Sequence, residues 1–185
     1  MIPSEFDYIR AGSVKEAVDL LSQKGPDAKV LAGGHSLLPA MKLRLNSPSA
    51  IIDIGAIPDL AYIKEDDGHL AIGAGTTHAD IASSSLVMDN IPMISETASS
   101  IGDVQVRNKG TIGGSIAHAD PAADWPAALL AAEAKIVIAG ASDSRTVLVN
   151  DFFQGLFTTD LGENELITEV RIPIPAANTR STYLK

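Results

Sequence analysis

Between Phe6 and Ile54 short apolar runs alternate with amphipathic ones, and this alternation restricts the fold more than any other feature of the sequence. Phe6 to Arg10 reads as a strand. Ser13-Val14-Lys15-Glu16 is a capping box, in which the serine and glutamate side chains satisfy free amides at a helix start. Val14, Ala17, Val18 and Leu21 then share one helical face, and Gly25-Pro26 stops the helix. Lys29 to Ala32 reads as a second strand and Gly33-Gly34-His35-Ser36 as a tight turn. Leu37 to Leu45 follows as a helix that tolerates Pro39 in its first turn, and Ile51 to Ile54 as a third strand. Strand, helix, strand, helix, strand in about fifty residues predicts right-handed crossovers and a small parallel sheet.

Beyond Pro58 the pattern changes. Leu60 to Lys64 and Leu70 to Ala74 flank Glu65-Asp66-Asp67-Gly68-His69, which predicts a hairpin and antiparallel pairing. Ala79 to Val87, Pro92 to Ile101 and Trp125 to Ala132 read as helices; Lys135 to Ala139, Arg145 to Val149 and Leu166 to Ile172 read as strands. The expected fold class is α+β with an α/β N-terminal part, the break falling near Gly55 to Asp59. Pro173 to Asn178 has linker character.

Composition excludes several chemistries. With 14 basic and 23 acidic side chains the net charge is −9, which argues against a nucleic-acid or anionic-membrane surface. A phosphate ligand would therefore be held mostly by backbone N–H groups. The chain has no cysteine, so it forms no disulfide, thiolate nucleophile, Cys-based zinc site or iron–sulfur cluster of its own. No run approaches the ~18 apolar residues of a membrane span, and the acidic opening lacks an apolar signal core, so a cytoplasmic location is expected.

Two glycine-rich stretches are the candidate sites. Leu31-Ala32-Gly33-Gly34-His35-Ser36-Leu37 leaves a strand and opens a helix, so several amides can converge on an anion, and the missing side chains allow close approach; the same pattern also fits a plain strand-to-helix turn. The run from Gly110 to Asp124, through Thr111, Gly113, Gly114, Ser115, Ala117 and His118, reads as a long loop of small and polar residues before the Trp125 helix. Thr111 and Ser115 can bond ligand oxygens, and Asp124 can either cap that helix or accept from ligand hydroxyls. His35 and His118 are expected to pack or face solvent.

Three rival patterns are weaker. Gly73-Ala74-Gly75-Thr76-Thr77-His78 begins like a dinucleotide fingerprint but has His78 at the third glycine. Gly34-His35-Ser36-Leu37-Leu38 lacks the closing glycine of a nucleophile elbow. His118, Asp120 and Asp124 lack a second histidine at metal-ligand spacing.

Met1-Ile2-Pro3-Ser4-Glu5-Phe6-Asp7-Tyr8, Ala32-Gly33-Gly34-His35-Ser36-Leu37-Leu38-Pro39, Thr76-Thr77-His78, Thr111-Ile112-Gly113-Gly114-Ser115 and Asp120-Pro121 with Asp124 together resemble the paired FAD-binding motifs of the molybdenum hydroxylase flavoproteins. The likeness extends along the whole chain and is nearest to the FAD-binding medium subunits of aerobic carbon monoxide dehydrogenases. The resemblance implies the two-subdomain FAD-binding fold of the vanillyl-alcohol oxidase and molybdopterin dehydrogenase type. Residues 1–56 would form the small parallel subdomain and 57–176 the larger one, with 177–185 starting a linker to a C-terminal domain. It further implies that Ala32 to Ser36, with Leu37, and Thr111 to Ser115, with Ala117, cradle the FAD diphosphate from two sides. Ile101 would pack near the flavin or adenine, Asp124 would bond a polar part of FAD, and Ile167 and Lys185 would make further contacts. No catalytic side chain and no metal ligand is expected. In this family a large subunit carries the molybdenum cofactor and a small one carries two [2Fe–2S] clusters, from which electrons reach FAD and leave to an acceptor such as a quinone. The chain is accordingly read as an electron-transfer subunit of an oxidoreductase. The alternatives are a xanthine, aldehyde, nicotine or quinoline type of the same enzyme, or a non-catalytic assembly module without FAD.

Overall fold

A computed structural model of the chain describes residues 2–185. In chain order its first elements are β1 (Asp7–Arg10), α1 (Val14–Lys24), β2 (Ala28–Leu31), α2 (Leu37–Lys42) and β3 (Ala50–Asp53), and the three strands pair in parallel in the order β1-β3-β2. β3 is central because Ala50, Ile51 and Ile52 leave no polar side chain to face water. Ser13 caps α1 by accepting from the Glu16 amide (3.1 Å), while the Glu16 carboxylate accepts from Gly12 N–H (2.7 Å), one residue upstream of the expected partner. Ala17, Val18 and Leu21 bury the inner face of α1 against Ile52 and Ala28. The expected helix to Leu45 stops at Lys42: Arg44 takes a left-handed φ of 57°, and Leu43 and Leu45 are exposed with nothing to pack against.

A 3₁₀ turn (Pro58–Leu60) then leads to β4 (Ile63–Asp66) and β5 (His69–Gly73), joined by Asp67-Gly68, both at positive φ as a two-residue hairpin requires. There follow α3 (His78–Ser83), α4 (Ser85–Asn90), α5 (Pro92–Ser100), α6 (Val104–Arg107), α7 (Ile112–His118), α8 (Asp124–Ala131), β6 (Lys135–Ala139), β7 (Ser144–Leu148), α9 (Val149–Phe152), β8 (Phe153–Gly155), β9 (Thr158–Thr159) and β10 (Leu166–Pro173). Five strands form an antiparallel sheet in the order β4-β5-β10-β6-β7, and β8 and β9 pair separately. Ile94, Ile116, Trp125 and Leu129 from the helices close over Leu70, Ile72, Ile136, Ile138 and Val170 of the sheet.

Two local expectations are overturned. The predicted helix Ala79 to Val87 is two helices, because Ser84 turns extended (ψ 117°) and its hydroxyl caps the next helix at Val87 N–H. The stretch from Gly110 to Asp124 is not one long loop: α7 occupies its middle. Thr111 caps α7 by accepting from Gly114 N–H (3.1 Å). Gly113, a poor helix former by itself, is demanded by packing, since a β-carbon there would lie 2.5 Å from that of Ala74.

Candidate functional site

The two glycine turns, far apart in sequence, meet in space. A β-carbon on Gly33 would lie 2.0 Å from the Lys109 carbonyl oxygen and 2.8 Å from Gly110 Cα, and one on Gly114 would lie 3.7 Å from Ala32 Cβ. Gly33 thus lacks a side chain first because the second stretch packs on it. Gly34 takes φ 75°, the left-handed turn that leads from β2 into α2.

The turns differ in what their backbones offer. Among the described residues, the N–H groups of residues 32–37 have no protein acceptor. In the second stretch the corresponding amides are engaged: Ile112 N–H donates to Thr76 O (3.1 Å), Gly113 N–H to Ala74 O (2.9 Å), Gly114 N–H to Thr111 Oγ1 and Ser115 N–H to Thr111 O (3.0 Å). These bonds fasten α7 to the end of β5. The second stretch therefore presents hydroxyls, from Thr111 and Ser115, where the first presents amides.

Between the turns lies a cleft of about 590 Å³, within the range that accommodates a cofactor. Ala32, Gly33, Gly34, His35, Ser36 and Leu37 line one side, and Thr111, Gly113, Gly114, Ser115 and Ala117 line the other, with Ile101 and Ile167 completing the walls. Ile167 reaches it because the register of β10 shifts between Ile167 and Glu169, which re-aims the strand's first residues. Ile101 ends α5, and the Arg107 guanidinium donates to the Ile101 and Gly102 carbonyls (both 3.0 Å). His35 Nδ1 donates to Gly33 O (2.9 Å), and the His118 ring packs on Phe157.

Asp124 and Lys185 stand outside this lining. Asp124 does not cap the Trp125 helix: it is the first helical residue, and Ala123 stands at the cap. Its nearly buried carboxylate accepts from Tyr183 Oη (2.6 Å) and from Lys185 Nζ (2.9 Å), and Lys185 also donates to Ser100 O (3.0 Å). The hydrogen bond to Asp124 pushes the Tyr183 phenol up to about 12. Thr182 and Tyr183 N–H bond the Glu96 carboxylate as well, so the terminal segment is fastened to α5 and α8.

The lining residues not expected from the sequence include two groups that bear on the chemistry of the cleft. His78 is 3% exposed and sits behind Gly110. Desolvation, and to a smaller extent His35, lowers its pKa to about 4. Its place within Thr76-Thr77-His78 was the only signal. Leu161, Gly162, Glu163 and Glu165 form the second group. Arg145, on β7, holds that loop through two bonds to the Glu165 carboxylate (2.8 and 2.7 Å) and two to Asp160, one to its carboxylate and one to its carbonyl oxygen, and it keeps the Glu165 carboxyl below its ordinary value. No pattern links Arg145 to this loop before folding. Among the described residues no group of metal-ligating side chains forms.

The sequence model of the FAD binding domain in molybdopterin dehydrogenase matches residues 4–175. The chain is 49% identical over 185 residues to the carbon monoxide dehydrogenase medium chain of Hydrogenophaga pseudoflava, covering 100% of this chain and 64% of that one. It is 45% identical over 174 residues to the glyceraldehyde dehydrogenase medium chain of Sulfolobus acidocaldarius, covering 94% and 62%. Among solved structures it matches, with TM-score 0.94 and 51% identity, the carbon monoxide dehydrogenase of H. pseudoflava that lacks the Mo-pyranopterin moiety of its cofactor, covering 96% of this chain and 62% of that one. Quinoline 2-oxidoreductase of Pseudomonas putida 86 matches with TM-score 0.92 and 36% identity, covering 95% and 61%. The chain spans less than two thirds of the length of these relatives.

Proposed function

Since the chain belongs to the family of FAD-binding domains of molybdopterin dehydrogenases, with FAD as its cofactor, we propose that it is the flavin-holding electron-transfer unit of a carbon monoxide dehydrogenase-like molybdenum hydroxylase. The observation that carries this reading is the run of free peptide N–H groups at residues 32–37, opening on a cleft of cofactor size. In a chain of net charge −9 these neutral donors bind a diphosphate without a basic cluster, and the start of α2 adds its dipole. On the opposite side Thr111 and Ser115 donate hydroxyls, while Ile101 and Ile167 exclude water from the ring systems. Bound FAD supplies the electron-carrying chemistry, linking a donor cluster to an acceptor such as a quinone.

The substrate is oxidised elsewhere in this scheme. A large partner subunit holds the molybdenum cofactor and a small one holds the [2Fe–2S] clusters, for which this cysteine-free chain has no ligands. The assembly is read as cytoplasmic; among the described residues no helix is long and apolar enough to cross a membrane.

Purified chain mixed with FAD tests the reading. Flavin absorbance should survive gel filtration, and FAD at a hundred times its Kd should raise stability by about 2.7 kcal/mol, seen as a higher melting temperature. A colourless protein with an unchanged melting temperature would instead identify an assembly module without cofactor.

A further inference from the structure

His78 opens α3 directly behind the meeting point of the two turns. The Trp125 indole N–H, a donor with no acceptor capacity, bonds His78 Nδ1 at 3.2 Å. Nδ1 is therefore unprotonated, and the neutral ring carries its proton on Nε2. That N–H has no protein acceptor among the described residues. No fully buried side-chain polar atom among the described residues lacks a partner, so Nε2 keeps access to solvent, and the cleft is the space that His78 lines. The position is specific: a β-carbon on Gly110 would lie 2.8 Å from Nε2, and Gly110 Cα, with the Lys109 carbonyl, forms the backbone against which Gly33 packs. His35 from the first turn and Asp124 from α8 are the charged or titratable groups whose fields reach the ring, with opposite effects.

We propose that His78 is a further cofactor-binding residue, its Nε2–H donating to an acceptor atom of the bound dinucleotide where the two turns meet, and that Trp125 positions it by fixing the tautomer. This rests on the FAD reading above. With the rest of the ring buried, Nε2–H is the one polar group of His78 left without a protein partner, and the cleft offers the dinucleotide as its acceptor. A side chain on Gly110 would clash with the His78 ring, at 2.8 Å from Nε2 and 3.0 Å from Cδ2, and with the Val106 carbonyl oxygen at 3.0 Å.

NMR of ¹⁵N-histidine-labelled full chain provides the test. Without FAD, His78 should show the Nε2–H tautomer; saturating FAD should shift its Nε2 and Hε2 resonances and slow Hε2 exchange with water. Independently, the Kd for FAD should be about tenfold weaker in His78→Phe/Trp125→Phe than in Trp125→Phe alone, a comparison that leaves no orphaned indole in the double variant. FAD bound with His78 resonances unmoved, or equal Kd values in the two variants, would overturn this inference alone. Wild-type chain that takes up no FAD would overturn the functional reading and this inference with it.

Discussion

At the scale of single residues, Gly33 and Gly114 look alike in sequence but are constrained by different neighbours. A β-carbon on Gly33 meets backbone at 2.0 Å, which cannot move without separating the turns; one on Gly114 meets the Thr111 hydroxyl at 2.9 Å and little else. Gly33→Ala should therefore cost about 1–3 kcal/mol in urea unfolding as well as FAD retention, and Gly114→Ala should cost less stability. His78 makes a second prediction. Its folded pKa of about 4 lies below the ordinary 6.5, so the unfolded chain binds the extra proton between these values. Stability contributed by the neutral ring is then intact above pH 6.5 and declines as pH falls toward 4, by up to about 3 kcal/mol. Urea melts across this range should show the decline in the wild type and a shallower one in His78→Phe.

At the scale of elements, periodicity identified β1 to β3, α1, the β4–β5 hairpin and β6, β7 and β10, because each buries a regular face. It failed where a tertiary contact overrode local propensity. Gly113 and Gly114 argue against a helix, yet α7 forms because its first amides bond the carbonyls of Thr76 and Ala74. The short α6, with no buried residue, leaves no apolar signature. The loop from 160 to 165 depends on Arg145, which supplies the guanidinium that its Asp160 and Glu165 carboxylates bind. Arg145→Met should speed hydrogen exchange at the Gly162 amide, which donates to Glu165, and should hasten FAD release several-fold with the rest of the fold retained. Unchanged exchange at Gly162 would show that the loop holds itself.

At the scale of the whole molecule, β10 joins two cores: Leu166 packs with Leu21 and Ile52 of the parallel half, and Ile167 and Val170 pack with Trp125 and Ile72 of the antiparallel half. The two halves should accordingly unfold as one unit. Trp125 fluorescence, which reports the second core alone, and far-UV circular dichroism, which reports both, should give coincident transitions that FAD displaces together. Separate transitions would mean that the strand does not couple the halves. The sequence by itself determined the strand and helix order of the parallel half, the strands of the antiparallel sheet, the two glycine motifs and the exclusion of any cluster held by cysteine, since these follow from local propensity and residue chemistry. Tertiary structure alone decided which amides stay free, that Asp124 is taken by Tyr183 and Lys185, and which nitrogen of His78 bears the proton. Each of these depends on a partner tens of residues away, and periodicity records the face a residue buries but not the neighbour it meets there.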